Sequence, residues 1–133
     1  MTKRAIDPEG LPAPVGPYSN VVTATPGRLV FVAGQVALDA NGDIVGKGDV
    51  AAQTRQVMEN IGTALDAAGA TFGDVVRVVN YITDVDLFGQ MAAVRKEFLV
   101  EPYPASTLVE VSALMFPELL IEIEAIAVVA DDS

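Results

Sequence analysis

The chain has 133 residues with 18 acidic against 8 basic side chains, a formal net charge of −10, so it has the length of one domain and repels phosphate backbones. It has no cysteine and no histidine, which excludes disulfides, thiolate metal sites, a cysteine nucleophile and an imidazole base. Hydrophobic residues make up 51% and charged residues 20%, an apolar surplus that points to a subunit interface, while no run approaches the ~18 apolar residues of a membrane span. Met1 to Gly10 has no apolar core of signal-peptide length, so a soluble, cytoplasmic protein is expected.

In chain order, Pro8, Pro12, Pro14 and Pro17 predict an extended arm over residues 1–17. Tyr18 to Ala24 reads as a first strand, Thr25-Pro26-Gly27 as a turn, and Arg28 to Gly34 as a second strand in hairpin with the first. Asn41-Gly42-Asp43 is a further turn signal, within a small hairpin or flap. From Asp49 the period becomes helical, with Val50, Thr54, Val57, Met58, Ile61, Leu65 and Ala68 on one stripe and Gln53, Arg55, Gln56, Glu59 and Asn60 off it. Gly48 or Asp49 caps the start and Gly69 sits where a left-handed residue ends a helix.

Val75 to Thr83 is a strand, and a second helix is predicted from Asp86 to Phe98, with Leu87, Met91, Val94 and Phe98 buried and Pro102 and Pro104 beyond its end. Two alternating strands close the chain, Pro104 to Val111 and Leu120 to Ala127, joined around Met115-Phe116-Pro117-Glu118. The pattern suits one α+β domain over residues 1–133, a mixed sheet with both helices on one face. Leu29, Phe31 and Ala33 alternate with Val30, Val32 and Gly34, so the sheet is apolar on both sides. Two helices cover only one side, and the other calls for a further subunit.

Gly16-Pro17-Tyr18-Ser19, Val32-Ala33-Gly34-Gln35, Gln53-Thr54-Arg55-Gln56, Asn60-Ile61, Ala68-Gly69, Pro104, Val109-Glu110-Val111 and Ile121-Glu122-Ile123-Glu124-Ala125-Ile126-Ala127 occur in the order and spacing of one family. The sequence resembles the Rid family, also called the YjgF or L-PSP family. That resemblance implies a chorismate-mutase-like fold, a homotrimer with three clefts between subunits, and hydrolysis of reactive enamines and imines to 2-keto acids and ammonia. It implies no metal and no organic cofactor, and a small-molecule ligand in each cleft. The resemblance makes Glu122 the acid that orients water. It gives the cleft walls to Tyr18, to Gly34 flanked by Ala33 and Gln35, and to Ser106, Thr107 and Leu108.

Three positions depart from the pattern that the resemblance implies. Ser106 stands where the family usually has an arginine that grips a substrate carboxylate, and Leu108 where it often has a cysteine; a polar helix residue near the cleft is Ala92 here. A serine hydroxyl offers neither charge nor a bidentate fork. Read from the residues alone, Glu122 is equally a strand carboxylate paired with a basic neighbour, Tyr18 a cap on the core, and Glu124 a structural charge. Arg28 at a turn, Arg77 within a strand and Arg95 on the polar face of the second helix are the remaining candidates for a cleft cation. The expectation is a hydrolytic deaminase whose substrate is not a simple 2-imino acid. The alternative is a non-catalytic metabolite-binding trimer. A ribonuclease or translation inhibitor is disfavoured by the acidic charge and the missing histidine.

Overall fold

The computed structural model describes residues 2–130. Its strands are β1 (Lys3–Ile6), β2 (Val21–Ala24), β3 (Arg28–Gln35), β4 (Val75–Ile82), β5 (Ala105–Glu110) and β6 (Ile121–Val129), with helices α1 (Val50–Ala67) and α2 (Phe88–Lys96) between β3 and β4 and between β4 and β5. β3, β6, β4 and β5 lie side by side in that order, antiparallel except for the parallel β4–β5 pair. The parallel pair needs a crossover, and α2 supplies it.

Period-two alternation in the strands settles which face is covered. Val30 and Val32 of β3, Val78 and Ile82 of β4, and Ile121, Ile123, Ala125 and Ala127 of β6 are buried. They form one core with Val57, Met58, Ile61 and Leu65 of α1 and Met91 of α2. Each such aliphatic side chain contributes roughly 1.5–3 kcal/mol by leaving water. On the other side of β3, Leu29 is 57% and Phe31 72% exposed, so the second face of the sheet is uncovered along β3.

Helix α1 begins and ends as its sequence dictates. The Asp49 carboxylate accepts a hydrogen bond from the Ala52 amide (3.1 Å), and Gly69 beyond its end has a φ of +74°, a conformation that only glycine adopts without strain. The flap is a small hairpin: Leu38 bridges Ile44, with Gly42 at φ +82° in its turn.

Three details differ from the sequence reading. β2 does not pair with β3; it pairs antiparallel with β1, a strand inside the predicted arm. Lys3 to Ile6 precede the first proline, so their amides are free to join a ladder. Helix α2 proper starts at Phe88, after a 3₁₀ turn (Val85–Leu87) held by the Asp84 carboxylate, which accepts from the Asp86 amide. Gln53, expected off the buried stripe, is fully buried. Its amide donates to the carbonyls of Gly46 and Glu118 and accepts from the Leu120 amide, tying α1 to the start of β6.

Candidate functional site

The register divides the residues of interest between two sheet faces. Glu122 is opposite Tyr81, which is opposite Val109, so these three share a face. Ser106 is opposite Val78, which is opposite Ala125, on the helix-covered face. Three residues along β5 and two strands across separate Ser106 from Glu122, about 14 Å at roughly 3.3 Å per residue and 4.8 Å per strand. A single chain therefore does not bring these two side chains into one pocket.

On the uncovered face, β3 bulges between Val32 and Gln35, and Gly34 leaves a notch. The Glu122 carboxylate fills it: a Cβ on Gly34 would collide with Oε2 and lie 2.9 Å from Cδ and 3.1 Å from Cγ. Glycine is thus required here for room rather than for backbone conformation. The neighbouring Glu124 accepts a hydrogen bond from the Tyr81 hydroxyl (2.5 Å). That bond, then burial and the charges of Glu124 and Glu122, pushes the Tyr81 phenol above its usual range, against a smaller opposing effect of Arg77. Thr107, also on this side, accepts from Arg77 Nη2 (2.9 Å). Ala33 is exposed and Gln35 half-buried, its amide turned back on the Ala33 carbonyl (3.1 Å). Gly34 and Gln35 also border a groove of about 740 Å³ against α1, lined further by Leu38, Asn60, Thr63 and Ala64, which reaches neither Glu122 nor Ser106.

On the covered face, Ser106 lies in a polar cluster within the core. Asn80 Nδ2 donates to Ser106 Oγ (2.9 Å) and to the Thr107 carbonyl (2.8 Å), and Arg95 Nη1 donates to Asn80 Oδ1 (2.6 Å) and, more weakly, to Ser106 Oγ (3.4 Å). Leu108, opposite Asn80, packs against the core beside this cluster. Arg95 is 2% exposed, and burial pushes its guanidinium down to about 10. Its Nε has no hydrogen-bond partner. Among the described residues the ion pair present is Arg55–Glu97 (2.8 Å), so Arg95 has no carboxylate beside it.

Tyr18 is half-buried at the entrance to β5. The next residue, Ser19, donates through its amide to the Pro104 carbonyl (3.0 Å) and through its hydroxyl to the Tyr103 carbonyl (2.6 Å), and it bridges Ala105 in parallel. The parallel bridge thereby sets Tyr18 at the level of Pro104, two positions before Ser106.

Of the three arginines considered from the sequence, Arg28 donates to the Ala68 carbonyl (2.9 Å) at the end of α1, and Arg77 binds Thr107. Arg95 corrects the sequence reading, since it lies in the core and not on a polar face. The signal was its spacing, four residues after Met91 and three before Phe98, on the stripe those residues define. Asn80 was missed as well, although it interrupts the apolar alternation of Val78 and Ile82. No cluster of metal-binding side chains occurs among the described residues, nor any helix long and apolar enough to cross a membrane.

A mixed four-stranded sheet with two helices on one face and a carboxylate set in a glycine notch defines a small α+β domain of the Rid type. A family model described as Endoribonuclease L-PSP matches residues 9–129, and the chain belongs to this Rid (YjgF/RutC) family. It is 45% identical over 125 residues to a RutC family protein of Pyrococcus horikoshii, covering 94% of this chain and 97% of that one. It is 39% identical over 127 residues to the 3-aminoacrylate deaminase RutC of Acinetobacter baylyi, covering 96% and 98%. It is 37% identical over 128 residues to the 2-iminobutanoate/2-iminopropanoate deaminase of Salmonella typhimurium, covering 94% and 97%. The crystal structure of the Rid family protein YyfB from Yersinia pestis superposes with a TM-score of 0.87 at 39% identity, covering 97% of this chain and 100% of that one. That of E. coli TdcF with bound serine gives 0.71 at 32%, covering 96% and 99%.

Proposed function

We propose that the chain is a cytoplasmic hydrolytic deaminase of reactive imines or enamines, acting in clefts between the protomers of a homotrimer. The observation that carries this reading is the Glu122 carboxylate, half-buried in the Gly34 notch with no cation of the described residues paired to it. A carboxylate held in this way orients water toward an electrophilic C=N carbon and takes its proton as the C–O bond forms. That proton goes to nitrogen to give a carbinolamine; the carboxylate then takes the hydroxyl proton as the carbonyl forms, nitrogen receives it as the C–N bond breaks, and ammonia leaves a carbonyl product. Deaminase names among the relatives support the same reaction class.

Assembly follows from the two faces. Leu29 and Phe31 are exposed beside the Glu122 face, and Ser106 lies across the sheet, so a cleft using both walls takes one from each of two protomers. The family's direct arginine–carboxylate pair is absent at Ser106; such a pair is worth about 2–5 kcal/mol in a partly dry cleft. The substrate is therefore one that is held without that pair. The nuclease activity in the family description fits poorly with a chain that has no histidine and a net charge of −10.

The test generates imines in situ with an amino-acid oxidase or dehydratase and follows keto acid and ammonia release by the purified oligomer. Glu122→Gln lowers the rate on the order of 10²–10⁴-fold. Ligand-induced thermal shifts without turnover of any imine, unchanged in Glu122→Gln, favour the non-catalytic binding alternative instead.

A further inference from the structure

Helix α1 and the flap border a groove of about 740 Å³, a volume in the range that small ligands occupy, and its lining includes neither Glu122 nor Ser106. Its floor is apolar: Val36, Leu38 and Ala64 are half-buried and pack against the core. Its rim is polar, and a chain of bonds fixes how the amides there are turned. The carbonyls of Val36 and Leu38 can only accept, so Asn60 gives them Nδ2 (3.1 and 2.9 Å) and staples the flap to α1. Asn60 Oδ1 then faces Gln56, which donates from Nε2 (2.9 Å) and keeps Oε1 free. Gln35 likewise commits Nε2 to the Ala33 carbonyl, and Thr63 spends its hydroxyl proton on the Glu59 carbonyl (3.1 Å).

Acceptors are what remain. Asp39 takes the Asn41 and Asp43 amides on one oxygen, Oδ1 (2.9 and 3.0 Å), leaving Oδ2 without a bond among the described residues. The exposed Glu59 carboxylate makes no ion pair there either, since Arg55, one turn earlier, is engaged with Glu97. Neither lysine nor arginine lines the groove. We propose that it is a binding site for a small organic ammonium with an apolar body, its charge at the Asp39 and Glu59 rim and its hydrocarbon on Val36, Leu38 and Ala64. An ammonium brings only donors and a positive charge to a rim whose surplus is acceptors and negative charge. An anion meets two carboxylates there and is rejected. The site goes beyond the proposed function and stands whether or not the chain turns over imines.

The experiment titrates the assembled protein by calorimetry at neutral pH and fixed low ionic strength with 2-phenylethylamine, which is protonated, and with 2-phenylethanol, its neutral counterpart. The wild-type protein binds the amine roughly 10-fold more tightly than the alcohol. Glu59→Gln, at a side chain whose carboxylate makes no hydrogen bond among the described residues, brings the two ligands within about threefold of each other. Ala64→Leu fills the floor and abolishes binding of both, with every charge kept. Glu101→Gln removes an exposed charge just before β5, at the sheet edge opposite β3, and changes neither affinity. If Ala64→Leu does not fold by circular dichroism, Glu59→Gln against Glu101→Gln decides the question alone, since both side chains are exposed.

Equal affinity for the two ligands in the wild-type protein, or binding of neither, overturns the proposal. So does an amine preference that survives a folded Ala64→Leu protein, or one that falls as far in Glu101→Gln as in Glu59→Gln, since either reports diffuse attraction to a chain of net charge −10. A shift of Ala64→Leu toward monomer in analytical ultracentrifugation means that a second copy fills the groove, and overturns the ligand site as well. Turnover assays run beside the titrations keep the two readings apart. A Glu59-dependent amine preference without turnover of any imine supports the ammonium site and overturns the deaminase. Turnover with no amine preference does the reverse.

Discussion

Replacing Gly34 with alanine tests Glu122 without touching its chemistry. Gly34 does not have a positive φ, so alanine takes the backbone conformation without strain; the only consequence is the new methyl. That methyl would collide with Glu122 Oε2 and lie 2.9 Å from Cδ, against the roughly 3.5–4.0 Å of relaxed contact between carbons. The carboxylate therefore retreats by about 1 Å or more. Because the obstructed group is the end of a flexible side chain, the fold loses only about 1 kcal/mol, at the low end of overpacking costs. Catalysis is far more sensitive: a displacement near 1 Å at a positioning group costs on the order of 10²-fold. The assay is imine hydrolysis, followed by ammonia release, beside a thermal melt. Gly34→Ala is expected to fold and assemble like the wild-type protein and to lose most of its turnover, with kcat more affected than KM. A folded Gly34→Ala protein with full activity would refute the assignment of water positioning to Glu122.

Other expected outcomes concern assembly, stability and titration. Phe31→Glu puts a charge on the bare sheet face and shifts the protein toward monomer in analytical ultracentrifugation, while the circular dichroism spectrum is kept. Gln53→Ala removes an amide that satisfies three backbone groups and lowers unfolding free energy by roughly 2–4 kcal/mol in a urea titration. In an ultraviolet absorbance titration of the folded protein, one tyrosine ionises above the ordinary range near 10, because loss of its proton breaks the bond to Glu124 and sets a phenolate beside two carboxylates. Tyr81→Phe removes that last transition, and Glu124→Gln lowers it.

The sheet, both helices and the bare second face were legible because they depend on alternation and periodicity, which are local in the chain. Asp49 and Gly69 marked the limits of α1 for the same reason. β1 was hidden because Lys3 to Ile6 carry only a weak alternation, and what stabilises them is the partner strand rather than their own pattern. Gln53 and Arg95 were misplaced through one assumption, that a polar side chain at a helical position faces water. Gln53 is buried because three backbone groups need it, and Arg95 because Asn80 and Ser106 receive it. The separation of Ser106 from Glu122 could not be read at all. Each strand reveals its own two faces, but which face of β5 matches which face of β6 is fixed only by the register through β4.

The Ser19 clasp on Tyr103 and Pro104 bears on how copies of this protein can meet. β5 is the outermost strand on its side of the sheet, and an outer strand ordinarily offers unpaired amides and carbonyls to any extended chain that drifts past. Here the chain's own N-terminal segment occupies the start of that rim, in the parallel sense. Strand-on-strand growth is blocked there, and encounters are diverted to side chains on the flat of the sheet.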